Sequence, residues 1–179
     1  NSKSKKLTFP KNYEEINTDE LINQYLQYYL VSKSKAFINT KSGPGPLGSL
    51  FDRPALSVNH FYHYSYAHKK NDIFLFKKIK NSKGQVQNFT NLFNHNFYEK
   101  YPNSISLMIK HGYEVLDNTS DEILEATKEL LTLDSGDMKY SSRNAKQQLF
   151  VDSLPETSCF KYMDSRISSY FQKKNPELF

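Results

Sequence analysis

The sequence predicts an α/β domain with a mostly parallel β-sheet flanked by helices in three layers. Strand-sized apolar segments alternate along the chain with longer segments whose apolar residues recur at helical spacing. A tight Gly/Pro loop at residues 43–46 joins one strand-sized segment to a short helical one, and a second strand-sized segment follows. This order is that of a βαβ unit, which builds parallel sheets with helices on their faces.

Length and charge narrow the class of protein. The 179 residues suffice for one such domain, and we expect it to span 1–179, with an extended end at 1–12 and a helical extension at 155–179. The chain starts with Asn1 rather than Met, which predicts a piece of a longer polypeptide. The net charge of +5 comes mainly from scattered lysines. It therefore indicates solubility and attraction to phosphates or an anionic membrane surface rather than nucleic-acid binding.

The apolar runs and the cysteine content indicate the cellular compartment and whether a metal site is expected. The apolar runs are strand-sized, shorter than a membrane span requires. The single cysteine, Cys159, can form neither an internal disulfide nor a zinc framework. We expect a cytoplasmic protein without a metal site.

Residues 19–59 contain the most regular part of the pattern. Apolar residues at helical spacing predict a helix over Asp19–Ser32. Two short apolar segments at 36–40 and 55–59 predict strands, and a short helix over 47–51 separates them. The two strands are expected to be parallel neighbours in one sheet, joined by a right-handed crossover.

The rest of the chain continues the alternation. Thr119 and Glu122 match a capping box and start a helix that extends to about Leu133. A strand over 113–117 precedes this helix, and residues 72–79 form an extended segment. We expect Ile38, Val58 and Val115 to lie in strands of the sheet. Further helices are predicted over residues 88–97, 104–111, 142–154 and a last segment that contains 167–171.

The loop after the first strand is the leading candidate for a binding site. In an open α/β sheet, ligands bind at the carboxyl ends of the strands. Small residues let the backbone approach a ligand, and the N–H groups at a helix start favour an anion such as a diphosphate. The alternative is that Gly and Pro only make a sharp turn. The candidate phosphate-binding residues are Thr40, Lys41, Ser42, Gly43, Pro44 and Gly45.

Two stronger phosphate motifs do not fit this loop. The P-loop pattern is absent, whereas Gly43, Gly45 and Gly48 match the GxGxxG spacing of dinucleotide sites literally. Prolines occupy the intervening positions, and Asn59 rather than an acid ends the second strand. An NAD or FAD site is therefore disfavoured.

A segment rich in histidine and tyrosine follows the second strand. Asn59, His60 and His63 could line a sugar pocket, and a buried aromatic loop is the alternative explanation. No carboxylate or cysteine accompanies the histidines, which argues against a metal site. Lys77 and Lys78 could reach phosphates, and the alternative is that both are solvated; Asp117 is expected to shape the turn before the capped helix.

These residues also carry a family resemblance. The stretch from Phe37 to Asn59 resembles the strand, Ser-Gly loop, helix and Pro-led strand of GT-B glycosyltransferases, and its loop is similar to that of heptosyltransferases. A closer similarity is to a group of bacterial glycosyltransferases of cell-surface polysaccharide synthesis. That group pairs the loop with a later Asp-Asn-Thr and an acidic helix, here Asp117–Thr119 followed by Asp121 and Glu122.

The resemblance implies the donor-binding, Rossmann-like carboxyl-terminal half of a GT-B enzyme, with the Ser42–Gly45 backbone holding the diphosphate of a nucleotide sugar. It implies no cofactor, since the nucleotide sugar is a substrate. The implied partners are an N-terminal domain of the same polypeptide and a glycan or lipid-linked acceptor at the inner membrane surface. The catalytic base would lie in that other domain, so this part alone is expected to be inactive.

Departures from the pattern limit what the resemblance implies. Heptosyltransferases have an acid before the Ser/Thr-Gly and a His after the Gly-Pro, whereas this sequence has Lys41 and Gly45-Pro46 at these places. The donor sugar is therefore not specified. The alternative function is a noncatalytic Rossmann-like module that binds a nucleotide or a protein partner.

Overall fold

A computed structural model describes residues 21–40, 46–61, 71–94, 97–101, 104–134, 144–154, 156, 158, 161 and 164–179. Within these residues the chain is a mixed α/β domain. Six strands are present in them: β1 (Phe37–Asn39), β2 (Ala55–His60), β3 (Ile73–Phe76), β4 (Lys78–Lys80), β5 (Glu114–Leu116) and β6 (Arg166–Ile167). The α-helices of the same part of the chain are α1 (Leu21–Lys33), α2 (Leu47–Leu50), α3 (Phe89–Asn94), α4 (Phe97–Lys100), α5 (Ile105–Lys110), α6 (Ser120–Asp134), α7 (Ala145–Ser153) and α8 (Ser169–Lys174), and a 3-10 helix follows at Pro176–Leu178.

The central sheet has four parallel strands in the order β1-β2-β3-β6. Strands β1 and β2 pair in parallel, with Ile38 opposite Leu56. This confirms the predicted pair of neighbouring parallel strands joined through a short helix. The fold class is therefore the predicted Rossmann-like α/β arrangement, a mostly parallel sheet flanked by helices.

One predicted strand lies in a different sheet. Val115 belongs to β5, which pairs antiparallel with β4, so that Ile79 lies opposite Val115 in a separate two-stranded sheet. The prediction that Val115 joins the parallel sheet is therefore wrong. The extended segment 72–79 divides at Lys77, and the chain leaves the central sheet there to form β4. That fourth strand is the partner that β5 takes instead.

The predicted helices are largely present, with shifted ends. Residues 88–97 contain α3 and the first residue of α4, as predicted for a helical segment, and residues 95–96 lie outside the described part. Helix α5 is capped by Ser104, whose side chain accepts a hydrogen bond from Leu107 N, and Gly112 follows its end with a φ of 82°. No helix in the described part of the chain is long and apolar enough to cross a membrane.

The core is centred on β3, whose four residues are all buried. Phe74 and Phe76 lie on one face of this strand and contact Phe150 of α7, at ring-centroid distances of 6.2 and 5.1 Å. Phe89 of α3 packs edge-on against both Phe76 and Phe150. Side chains from the last part of the chain, including Ile167, belong to the same core. The prediction that Ile167 lies in the last helix is wrong, because Ile167 belongs to β6, which pairs with β3, and α8 begins only at Ser169.

Candidate functional site

The carboxyl ends of three neighbouring parallel strands meet at one edge of the central sheet. These ends are Asn39 in β1, His60 in β2 and Phe76 in β3. Polar residues follow two of them directly: Thr40 is exposed after β1, and Lys77 follows β3. The backbone N–H of Lys77 donates to the His60 carbonyl at 3.0 Å, so the ends of β2 and β3 are joined there. This is the edge at which open α/β sheets bind ligands.

The structure describes both flanks of the predicted phosphate loop. Thr40 follows β1 at the expected edge, and the chain is described again from Pro46, directly before α2. The other candidate residues, Lys41, Ser42, Gly43, Pro44 and Gly45, lie outside the described residues. The predicted order of strand, loop, short helix and parallel strand is therefore present around the loop.

Gly48 has a packing role that explains the third glycine of the literal GxGxxG spacing. A Cβ atom built on Gly48 would lie 3.0 Å from Cδ1 of Phe37 and 3.4 Å from Cβ of Ala55. Helix α2 therefore packs closely on β1 and β2, and only glycine fits this contact without a shift of the Phe37 ring.

Asn59 has a backbone conformation that is uncommon for residues other than glycine. Its φ is 53°, in the left-handed region. The pairing of β2 with β3 also changes register here, because three steps from Ser57 to His60 face two steps from Phe74 to Phe76. Asn59 therefore lies in a bulge at the end of a central strand. Such bulges and outliers are enriched next to functional sites, where they redirect a side chain.

A reciprocal pair of hydrogen bonds holds this bulge. The Asn59 N–H donates to Oδ1 of Asn118 at 2.6 Å, and the Asn118 N–H donates to Oδ1 of Asn59 at 2.6 Å. The Asn118 Nδ2 also donates to the Phe76 carbonyl at 2.8 Å. Asn118 thus ties the ends of β2 and β3 to the loop before α6. Within the described part of the chain, Nδ2 of Asn59 has no hydrogen-bond partner, so its two N–H groups are available to a ligand.

The two histidines proposed to line a pocket have different outcomes. His60 is buried, with 1% of its surface exposed, and its ring lies 6.3 and 5.9 Å from the rings of Phe74 and Phe76. His60 therefore packs into the core at the end of β2. His63 lies outside the described residues. Of the predicted pocket-lining set, Asn59 is the described residue that remains half-exposed at the sheet edge.

An ion pair lies beside this strand-end network. Nζ of Lys77 donates to Oδ1 of Asp117, the residue that precedes Asn118. The side chain of Lys77 is 18% exposed, and that of Asp117 is 66% exposed. The sequence allowed either a solvated or a phosphate-binding Lys77, and the structure brings this residue to the candidate edge.

Behind the edge, a second lysine is engaged in a buried polar cluster. Nζ of Lys78 donates to Oε1 of Glu122 at 2.7 Å and to Oδ1 of Asn175 at 3.2 Å. Glu122 also closes the predicted capping box, since its N–H donates to Oγ1 of Thr119 at 3.2 Å and the Thr119 N–H donates to its Oε2 at 2.8 Å. The cluster therefore fixes the start of α6 against β4 and α8.

Several hydrogen bonds determine the protonation state of Glu122. Burial alone raises the pKa of this carboxyl, but hydrogen bonds from Lys78, from the Thr119 N–H and from Asn175, together with the charge of Lys78, outweigh burial. The net effect is a pKa below the ordinary value of about 4.5. Glu122 is therefore an ionised structural carboxylate at neutral pH rather than a general acid.

In the part of the chain that the structure describes, the edge offers an anion the amide donors of Asn59 and the ammonium group of Lys77. Among the described residues, no group of three or more His, Cys, Asp and Glu side chains could hold a metal ion. Comparisons with protein-family models, with curated proteins and with solved structures found no match to this chain.

Proposed function

We propose that the carboxyl edge of the parallel sheet binds the diphosphate of a nucleotide sugar, and that the chain is the donor-binding part of a bacterial glycosyltransferase. One observation supports this proposal above the others. The candidate loop begins at Thr40, on the same edge of the parallel sheet as the left-handed bulge at Asn59. A redirected asparagine and a small-residue loop at neighbouring strand ends suit a ligand that needs close backbone approach.

The donors at this edge match the charge that sugar transfer creates. When the bond between the sugar and the diphosphate breaks, negative charge builds up on the departing diphosphate. Hydrogen-bond donors already aimed at that position stabilise the transition state more than the ground state. The hydroxyl of Thr40, Nδ2 of Asn59 and the ammonium of Lys77 are the groups at this edge to which the proposal assigns this role. The glycan or lipid-linked acceptor and the catalytic base would be held by another domain of the same polypeptide, at the inner membrane surface.

Calorimetric titration with UDP-, GDP- and ADP-sugars tests the proposal. Gly43→Val should strongly weaken binding, because a bulky side chain blocks backbone approach to the phosphates. Thr40→Val should weaken it by about 2- to 13-fold, the equivalent of one hydrogen bond of 0.5–1.5 kcal/mol. Thr132→Val on α6 is the matched control, since this exposed residue lies on another element and its hydroxyl donates to the Lys128 carbonyl of its own helix, and it should leave binding unchanged.

The contradictory outcomes are equally specific. If a donor binds wild type and folded Gly43→Val with the same affinity, the diphosphate site lies elsewhere. If no sugar nucleotide binds at all, the noncatalytic module becomes the better explanation. Circular dichroism on each variant separates a lost site from a lost fold.

A further inference from the structure

We propose that Lys77 is the cation that binds the diphosphate at this edge, and that Asp117 holds Lys77 in place while weakening the attraction of the edge for anions. The proposal rests on the proposed function, and it names the positively charged side chain that contacts the diphosphate. It starts from the ion pair between Nζ of Lys77 and Oδ1 of Asp117, which adjoins the Asn59–Asn118 pair at the ends of β2 and β3.

The position of Lys77 suits an anion at the sheet edge. Its backbone N–H is bonded to the His60 carbonyl, so the residue starts at the end of the central strands. Strands β1 and β3 flank β2, and neighbouring strands lie about 4.8 Å apart, so the ends of β1 and β3 are about 10 Å apart. A four-carbon lysine side chain and a diphosphate can bridge that span together.

The ammonium group of Lys77 also has N–H donors that the ion pair does not use. An ammonium group has three N–H donors, and within the described residues Asp117 uses one of them. Two donors therefore remain for phosphate oxygens. Asp117 is 66% exposed, so its carboxylate can turn into solvent when an anion arrives, at little cost in free energy.

The two other lysines of this segment are unsuitable. The ammonium of Lys78 is engaged by Glu122 and Asn175 and lies 5.9 Å from the centroid of the Phe171 ring. Lys80 lies at the far end of β4 and pairs with Glu114 at 3.6 Å. Among the described lysines of this segment, Lys77 is therefore the one that is suited to an anion at the edge.

Lys77 and Asp117 should have opposite effects on binding. Removal of the ammonium deletes a charge-assisted contact with the phosphates. Removal of the carboxylate charge leaves the ammonium unneutralised and abolishes repulsion between Asp117 and the incoming anion. A purely structural ion pair predicts the same sign for both changes, because either one breaks the pair.

The experiment is calorimetric titration of UDP, GDP, ADP and inorganic pyrophosphate at low and high salt. Lys77→Met should weaken binding of at least one nucleoside diphosphate roughly 10- to 100-fold, the range for a hydrogen bond to a charged group. Asp117→Asn should tighten it about two- to fivefold at low salt, and less at high salt. Lys80→Met and Glu114→Gln, which break the exposed pair between β4 and β5, should change it less than about twofold.

The outcomes separate this inference from the proposed function. If wild type binds a nucleoside diphosphate and folded Lys77→Met binds it equally well, the role of Lys77 is overturned and the proposed function stands. If Asp117→Asn weakens binding as Lys77→Met does, the pair is structural and the inference is also overturned. If wild type binds none of the nucleoside diphosphates, both proposals fail. Binding of pyrophosphate as tight as that of UDP, GDP and ADP supports the anion role of Lys77 but contradicts recognition of a nucleotide.

Discussion

Asn59 and Asn118 exchange two hydrogen bonds of 2.6 Å between residues that are 59 positions apart in the chain. Each side-chain oxygen accepts from the other residue's backbone N–H, so the two amides imitate a short stretch of sheet pairing. The pair stabilises the left-handed turn at the end of β2 and leaves Nδ2 of Asn59 available at the sheet edge. The candidate site therefore depends on a contact that only the folded chain creates.

Asn118→Ala should destabilise the protein by about 2 to 4 kcal/mol. The change deletes the two hydrogen bonds of the Asn118 side chain, so the Asn59 N–H and the Phe76 carbonyl lose this partner, whereas the bond from the Asn118 backbone N–H is retained. A polar group that is buried without a partner costs about 1–3 kcal/mol. Asn91→Ala, at an exposed position of α3, is the control and should change the free energy of unfolding little. Equal urea midpoints for the two variants would disprove the role of Asn118.

Asn59→Gly and Asn59→Ala together isolate the strain of the left-handed backbone. Both variants lose the bond from the Asn118 N–H, but only alanine must adopt the φ of 53° with a Cβ atom and no compensating side chain. The alanine variant should be less stable than the glycine variant by about 1 kcal/mol, measured by urea unfolding. Should alanine prove as stable as glycine, the turn is not left-handed in solution.

Thr119→Ala should destabilise the protein by about 1 kcal/mol, because it removes the side-chain acceptor of the capping box. Thr119 is exposed, so no buried packing is lost with the methyl group. Thr119→Ser keeps the hydroxyl and should retain most of the stability. A urea melt in which alanine and serine behave alike would show that the cap contributes nothing.

Glu122→Gln should make stability less dependent on pH in the acidic range. The folded-state pKa of Glu122 is lowered, because its hydrogen bonds and Lys78 outweigh burial. Its ionised form therefore stabilises the fold fully above the unfolded pKa of about 4.5, and this contribution is lost as pH falls through the lower folded-state pKa. At pH 7 the variant should be about 2 to 3 kcal/mol less stable, because Lys78 loses a buried carboxylate partner.

Urea unfolding at pH 7, 5, 4 and 3 measures this dependence. The difference between wild type and Glu122→Gln should be constant from pH 7 to about pH 5 and should narrow below the ordinary pKa. Glu125→Gln is a control on the same helix, where the carboxylate pairs with Lys128 at the exposed surface. A gap that widens on acidification would contradict the lowered pKa.

The features that could be predicted from the sequence are those encoded by neighbouring residues. The capping box joins Thr119 and Glu122, three positions apart, and is present as predicted. Strands β1 and β2 were predicted because a Gly/Pro loop and a short helix separate two apolar segments, and short crossovers place such strands side by side. The order of these segments along the sequence was sufficient to predict this part of the fold.

Long-range contacts account for what the sequence did not reveal. The ion pair of Glu122 with Lys78 joins residues 44 positions apart. The local sequence around Glu122 predicts its role in the capping box but contains no sign of this ion pair. The three-residue strand that contains Val115 has no periodicity that selects a parallel or an antiparallel partner. The two-residue β6 is too short to be recognised. The parallel pair that forms this sheet edge was predicted from the sequence, but the hydrogen bonds between Asn59 and Asn118 could not be, because they join residues 59 positions apart.

A thermal-shift screen of wild type against UDP-, GDP- and ADP-sugars tests the central claim most directly. Ligand at 100 times its Kd stabilises the folded state by about 2.7 kcal/mol, which for a domain of this size is a rise in Tm of roughly 5 to 10 °C. We expect such a rise with at least one nucleotide sugar and none with the free sugar at the same concentration. If no nucleotide sugar raises the Tm, or if the free sugar raises it equally, the carboxyl edge of this sheet is not a nucleotide-sugar site.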